Sequence, residues 1–276
     1  MDQTSKAKVH VERGHYDLNY CNFQTELYEQ IRRDAFGDDI GQNSWLTASE
    51  LGRFRNCLDL SRGKRLLDVA CGAGGPALCI AALTGSSVIG IDIHEQAIAT
   101  ANALAAKRGL SQLADFRVMD AAQQLPFAND SFHAITCIDA INHLADRQHV
   151  ITEWRRVLRP KGRLLFTDPL VVTGPLTNAE VAARSSAGFY LLVPEGYDEH
   201  VIAQRRMRGI TSENVTQNMA EVAERKKMAR ELRELTLREI EGDQAYEAQQ
   251  KFLAVAALLA KEGRLSRFMY VAEKLS

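Results

Sequence analysis

Short apolar runs recur along the chain, and each closes on or beside an aspartate. Leu66, Leu67 and Val69 surround Asp68, and Val88, Ile89 and Ile91 lead to Asp92. Phe116 and Val118 lead to Asp120, Ile135 and Ile138 to Asp139, and Leu164, Leu165 and Phe166 to Asp168. Near-continuous apolar runs of this length predict strands buried on both faces, as in parallel sheets. Between them lie stretches with helical spacing at 76–83, 95–108 and 147–158, the last stopped by Pro160 and Gly162. Strands alternating with helices predict a doubly wound α/β fold of the Rossmann-like kind, its sheet covered on both faces. Ligands on such sheets sit beyond the carboxyl ends of the strands, where all five aspartates and Gly72 fall. That coincidence predicts one site.

The flanks follow other patterns. Residues 10–41 are polar but carry Tyr16, Tyr20, Phe23, Tyr28 and Phe36. A helix is predicted at 25–35, and the glycine-rich stretch 37–45 is too polar for regular structure. A long irregular approach of this kind predicts a lid, residues 1–46, ahead of a core at 47–276. Thr47 or Ser49 is placed to cap a helix running to about residue 60. After Asp168 the pattern predicts helices at 177–187 and 197–204 and a sixth strand at 210–218. Two charged amphipathic helices, 219–241 and 243–262, then form an insert at about 219–263, which either caps the site or makes a dimer contact. Its charges read as a solvated outer face. An alternating strand at 266–273 closes the chain.

Composition removes several classes of function. The 276 residues carry 34 Lys+Arg against 35 Asp+Glu, a formal charge of -1, so no broad footprint for nucleic acid or a membrane surface is expected. No apolar run suits a signal peptide or a bilayer span. The five cysteines are odd in number and scattered, with no metal-ligand spacing, which predicts reduced thiols in a cytoplasmic protein without a metal site. A monomer or homodimer acting on a small molecule is the expectation.

The chemistry centres on Asp68-Val69-Ala70-Cys71-Gly72-Ala73-Gly74. Gly72 and Gly74 let the backbone turn tightly beside a ligand, and the next helix points free N–H groups at it. Asp92 lies 20 positions beyond Gly72, the spacing of a carboxylate that accepts from ribose hydroxyls. The glycines alone also fit an NAD-linked oxidoreductase. However, Asp68 four residues before Gly72 would repel a pyrophosphate, whereas an ammonium would want it.

With Gly90-Ile91-Asp92, with Asp120-Ala121 before Leu125-Pro126-Phe127, and with Val157-Leu158-Arg159-Pro160-Lys161-Gly162, this motif resembles class I S-adenosylmethionine-dependent methyltransferases. The resemblance covers Trp45 to the end of the chain. It implies a seven-stranded, mostly parallel sheet with an antiparallel last strand, S-adenosylmethionine as methyl donor and S-adenosylhomocysteine as product. It places Asp68 and Gly72, with Gly74, at the methionine end, Asp92 on ribose, Ile93 on adenine, and Asp120 with Ala121 at the adenine amino group. Ser44 and Cys137 complete the cofactor set. Lys161 stands where the family's turn usually has glycine, a departure expected to be harmless.

A narrower likeness joins Cys137-Ile138-Asp139-Ala140-Ile141-Asn142-His143 to phosphoethanolamine and sarcosine/dimethylglycine methyltransferases. It implies that Asp139 and His143 face the acceptor and that a lid tyrosine, Tyr20 before Tyr16, hydrogen-bonds the histidine. His143 near neutrality suits removal of an ammonium proton, which favours an amine acceptor. Asp139 would hold a cationic acceptor or orient His143. A carbon or hydroxyl acceptor, and a cofactor-binding protein without turnover, are the other readings.

Overall fold

A computed structural model describes Tyr16 and residues 19–186 and 188–276. In chain order the elements are α1 (Glu26–Phe36), α2 (Ala48–Cys57), β1 (Arg65–Val69), α3 (Gly75–Thr84), β2 (Ser87–Asp92), α4 (Glu95–Lys107) and β3 (Ala114–Val118). Then come β4 (Phe132–Cys137), α5 (Arg147–Val157), β5 (Leu158–Val172), α6 (Asn178–Arg184), β6 (Val193–Pro194), α7 (Tyr197–Gln204) and β7 (Met207–Asn214). Helices α8 (Thr216–Glu231), α9 (Glu234–Glu241) and α10 (Asp243–Lys261) precede the last strand, β8 (Leu265–Lys274). Residues 1–8, read as patternless, lie outside the described residues.

The sheet runs β3-β2-β1-β4-β5-β8-β7. β3, β2, β1, β4 and β5 are mutually parallel, and β8 enters antiparallel between β5 and β7. The expected seven strands gain an eighth, β6, whose two residues extend the end of β5. Along β1 the side chains alternate between two cores. Leu67 and Val69 pack with Trp154 and Ile151 of α5, while Leu66 packs with Leu78 and Ala81 of α3 and Phe54 of α2. Burial on both faces is what the apolar runs demand. Trp154 is fully buried, and truncation to alanine would cost about 3–5 kcal/mol.

Two elements depart from the sequence reading, and a third settles a choice it left open. The sixth strand spans Met207–Asn214 rather than 210–218, because Thr216 already begins α8. It is an edge strand with most residues exposed, so no burial pattern marks its ends. The stretch 219–241 is two helices, broken at Leu232 and Arg233 without glycine or proline. The break leaves Leu232 and Leu235 exposed and turns Leu237 inward against Tyr28, Ile31 and Tyr246. Thr47, not Ser49, caps α2, accepting from the Glu50 N–H at 3.3 Å.

The insert lies against the N-terminal segment. Ala35, Phe36 and Trp45 share a core with Met219, Val222, Ala223, Leu253 and Ala256. Among the described residues no helix is long and apolar enough to cross a membrane.

Candidate active site

Two neighbouring strands of the sheet, β1 and β4, carry connections that leave on opposite sides, and the chain kinks at both their ends. Ala70 after β1 has φ +53° and Asp139 after β4 has φ +55°, left-handed conformations that non-glycine residues rarely hold. Gly72 has φ +54°, which glycine holds without strain, and a Cβ there would meet the Tyr20 hydroxyl at 2.7 Å unless that side chain shifted. Its N–H donates to Asp92 Oδ2 at 2.9 Å. Asp92 Oδ1 accepts from the His94 N–H at 3.0 Å and from His94 Nδ1 at 2.8 Å. The two motifs 20 residues apart are thus clasped directly.

Asp68 is buried at the same end of the sheet and accepts from the Thr136 hydroxyl at 2.6 Å. Burial pushes its carboxyl up to about 7; the Thr136 bond opposes this, and Asp92 adds to it. Cys71 is also buried, which holds its thiol well above the ordinary range and makes it a space-filler. All five cysteines are free.

These groups border a cleft of about 230 Å³. Of the expected cofactor residues, Asp68, Gly72, Asp92, Ile93, Asp120, Ala121 and Ser44 line it. Gly74 and Cys137 do not. A Cβ on Gly74 would meet the Phe116 ring at 2.7 Å, so this glycine lets α3 approach the sheet. Cys137 is wholly buried in the core, because its side chain points to the α5 face while the kink begins two residues later. His94 was missed. It lines the cleft, stands beside Tyr16 and Tyr20 at ring distances of 5.4 and 5.8 Å, and keeps a buried Nε2 with no partner among the described residues. Only its place just beyond Asp92 hinted at it.

A second cavity of about 80 Å³ adjoins the first, sharing Tyr16, Asn43, Ser44, Asp139 and His143 with it. Asp139 and His143 are not on one α-helical turn. A tight 3-10 turn, Ile141–His143, follows the Asp139 kink. His143 Nδ1 lies 3.1 Å from the Phe189 carbonyl and Nε2 lies 3.2 Å from the Tyr16 hydroxyl. A carbonyl only accepts, so Nδ1 carries the proton and Nε2 accepts from Tyr16. The tyrosine on His143 is therefore Tyr16 rather than the expected Tyr20, whose hydroxyl lies over Gly72. Tyr16 also meets the Tyr190 hydroxyl at 3.2 Å.

The Asp139 carboxylate is occupied. Oδ1 accepts from Arg267 Nε at 2.6 Å and from the Thr167 hydroxyl at 2.7 Å, and Oδ2 accepts from the Trp45 N–H at 2.9 Å. Asp168 is likewise taken: Arg147 bridges it and Asp198 in the core, both carboxylates fully buried. It borders neither cavity. The insert contributes Lys226, Gln249 and Phe252 to the second cavity, and α6 contributes Arg184. Burial, helped by the Arg230 and Arg32 cations, pulls the Lys226 ammonium down to about 8. Asn142 is buried there, and its Oδ1 has no partner among the described residues. Neither cation had a motif to announce it.

The larger cleft suits a nucleoside bearing an amino acid. A buried carboxyl awaits a cation at Asp68, the glycine cradle would be filled by any Cβ, and an orphaned ring nitrogen waits at His94. Residues 67–166 match the family described as Methyltransferase domain. Methyltransferase GfsG of Streptomyces halstedii is 39% identical over 190 residues, covering 64% of this chain and 67% of that protein. The 27-O-demethylrifamycin SV methyltransferase of Amycolatopsis mediterranei is 35% identical over 147 residues, covering 53% of this chain and 54% of that protein. The chain thus spans about half the length of the second relative. Phosphoethanolamine N-methyltransferase 2 of Haemonchus contortus, solved with phosphomonomethylethanolamine and S-adenosylhomocysteine, shares the fold at a TM-score of 0.78 and 21% identity, covering 95% of this chain and 60% of that one. The chain belongs to the class I S-adenosylmethionine-dependent methyltransferases, as an enzyme that methylates small molecules. That removes the NAD-linked oxidoreductase reading.

Proposed function

We propose that the acceptor atom is a proton-bearing nitrogen held in the smaller cavity, and that His143 takes its proton through Tyr16. The observation that carries this reading is the Phe189 carbonyl, which fixes Nδ1–H and leaves the Nε2 lone pair on the side of Tyr16. Asn142 Oδ1, buried on the same wall and without a partner among the described residues, offers an acceptor for a substrate N–H.

Bound S-adenosylmethionine supplies a methyl already activated on a sulfonium. The chain has to align, exclude water and move one proton. Asp68 would receive the cofactor's ammonium, Asp92 its ribose, and Asp120 with Ala121 and Ile93 its adenine. Trp45 stacks on Phe252 with centroids 6.2 Å apart, an apolar wall of the cavity. Before transfer, the acceptor ammonium releases one proton to Tyr16 Oη while Tyr16 passes its own to His143 Nε2, which exposes the nitrogen lone pair. Asp139 serves this reading as a positioning residue: it ties Trp45 and the turn carrying His143 to Arg267.

A hydroxyl oxygen acceptor is the second reading. It uses the same base, and the likeness to the 27-O-demethylrifamycin SV methyltransferase of Amycolatopsis favours it. Mass spectrometry with methyl-deuterated donor and paired amine and alcohol acceptors separates the two. Labelled amine products support nitrogen, and label confined to alcohols moves the proposal to oxygen.

A further inference from the structure

Residues 188–192, between α6 and β6, belong to no helix or strand, yet the Phe189 carbonyl among them sets which nitrogen of His143 carries the proton. A carbonyl on irregular backbone keeps its direction only where something anchors the chain. Two bonds at Leu191 supply the anchor. Its N–H donates to the Asn142 carbonyl at 2.8 Å, and its own carbonyl accepts from Arg147 Nη2 at 3.2 Å. Asn142, His143 and Arg147 all lie in the stretch after β4, so three bonds stitch 189–191 to 142–147.

Arg147 is the rigid end of this stitching. It opens α5, is 1% exposed, and its Nη1 donates to Asp168 Oδ2 at 2.5 Å and to the two Asp198 carboxylate oxygens at 2.7 and 3.0 Å. Asp168 lies within β5 and Asp198 in the first turn of α7, so neither carboxylate rides on the irregular segment. A guanidinium is planar, and once Nη1 is fixed from two sides the direction of Nη2 is fixed as well. A lysine could meet the carboxylates as a point charge but would have no second arm for Leu191.

We infer that Arg147 is a positioning residue for His143: through the Leu191 carbonyl it holds 189–191 in place, aims the Phe189 carbonyl at Nδ1, and so keeps the Nε2 lone pair toward Tyr16. Without that anchor the Phe189 carbonyl releases Nδ1. A neutral imidazole can then carry its proton on Nε2, where it no longer accepts from Tyr16. Arg147 lines neither cavity, so changing it removes no ligand contact. Its catalytic consequence rests on the reading of His143 as the base; its effect on the ring does not.

NMR of protein labelled with 15N in the histidine rings, at pH 8, reads the tautomer, with the His143 signals identified as those missing from His143→Gln. The native protein should show Nδ1 protonated and Nε2 free. Arg147→Lys should move the tautomer ratio at least tenfold toward Nε2–H. Asp198→Asn cuts the same cluster but leaves Nη2 on Leu191, and should not move it, which tells general loosening of the core apart. Should the single lysine variant fail to fold, Arg147→Lys/Asp198→Asn keeps one cation against one carboxylate and should give the same shift. Unchanged S-adenosylhomocysteine affinity certifies each fold. With His143 as base, kcat falls with the population of free Nε2 while KM for the donor holds; a shifted tautomer with unchanged kcat upholds the inference and removes the base. Nε2–H already in the native protein, a ratio unmoved in both lysine variants, or one moved as far by Asp198→Asn alone, overturns the inference.

Discussion

Arg267 donates to Asp139 across 128 positions of sequence, Nε to Oδ1 at 2.6 Å, and its Nη1 reaches Glu50 at 2.7 Å. One guanidinium on the last strand thereby joins the turn after β4 to α2. Asp139 and Glu50 are almost wholly withdrawn from water, and burial raises the Glu50 carboxyl above its ordinary range.

Removing the cation would strand two buried carboxylates. Arg267→Ala is expected to cost about 3–5 kcal/mol in denaturant unfolding. Asp139→Asn should cost less, because Glu50 still pairs with Arg267. The two changes should be non-additive in a double-mutant cycle, and simple additivity would deny the coupling.

Asp68 makes the cofactor site sensitive to pH. Its folded value, about 7, lies above the ordinary 3.8, so the folded cofactor-free protein holds this proton more tightly than the unfolded chain. Its contribution to stability is full below about pH 4 and is lost as pH rises through about 7. An incoming ammonium favours the carboxylate. Cofactor binding at pH 6 should therefore release a proton, seen as a buffer-dependent calorimetric enthalpy, and Asp68→Asn should abolish that dependence.

Much of the fold was legible in the sequence, for a physical reason. Strands buried on both faces leave continuous apolar runs, so the parallel sheet followed, and most of the acids and glycines at the strand ends do line one cleft. Cys137 was misplaced because burial in the core and exposure at the site differ by two residues at the end of β4. Tyr20 was placed ahead of Tyr16 and the order is the reverse, because both ride a segment with no fixed spacing to His143. Arg184, Lys226 and the Arg267–Asp139 pair depend on contacts between distant segments, which no local pattern encodes.

Lys161 holds φ +63° within the β5 span, where the pairing with β4 skips from Leu158 to Arg163. A left-handed conformation costs a residue with a Cβ roughly 1–2 kcal/mol, and glycine's added unfolded-state freedom takes back roughly 0.5–1 kcal/mol. Lys161→Gly should stabilise by about 1 kcal/mol net, raising Tm by roughly 2–4 °C with catalysis unchanged. No rise in Tm would mean that the backbone there is already relaxed.

Tyr16 and His143 should differ in weight. If Tyr16 relays the proton and His143 receives it, His143→Ala should lower kcat by about 10²–10⁴. Tyr16→Phe should lower it less, since water can bridge the gap. Equal, small effects would mark the pair as packing.

The most direct test is the single-turnover rate of methyl transfer to an amine acceptor, compared between the native protein and His143→Ala from pH 6 to pH 9. With His143 as base, the variant should be at least about a hundredfold slower near neutrality. The gap should narrow as pH rises and more of the amine is already deprotonated. Equal rates across that range would contradict the assignment and leave His143 a structural residue of the turn after β4.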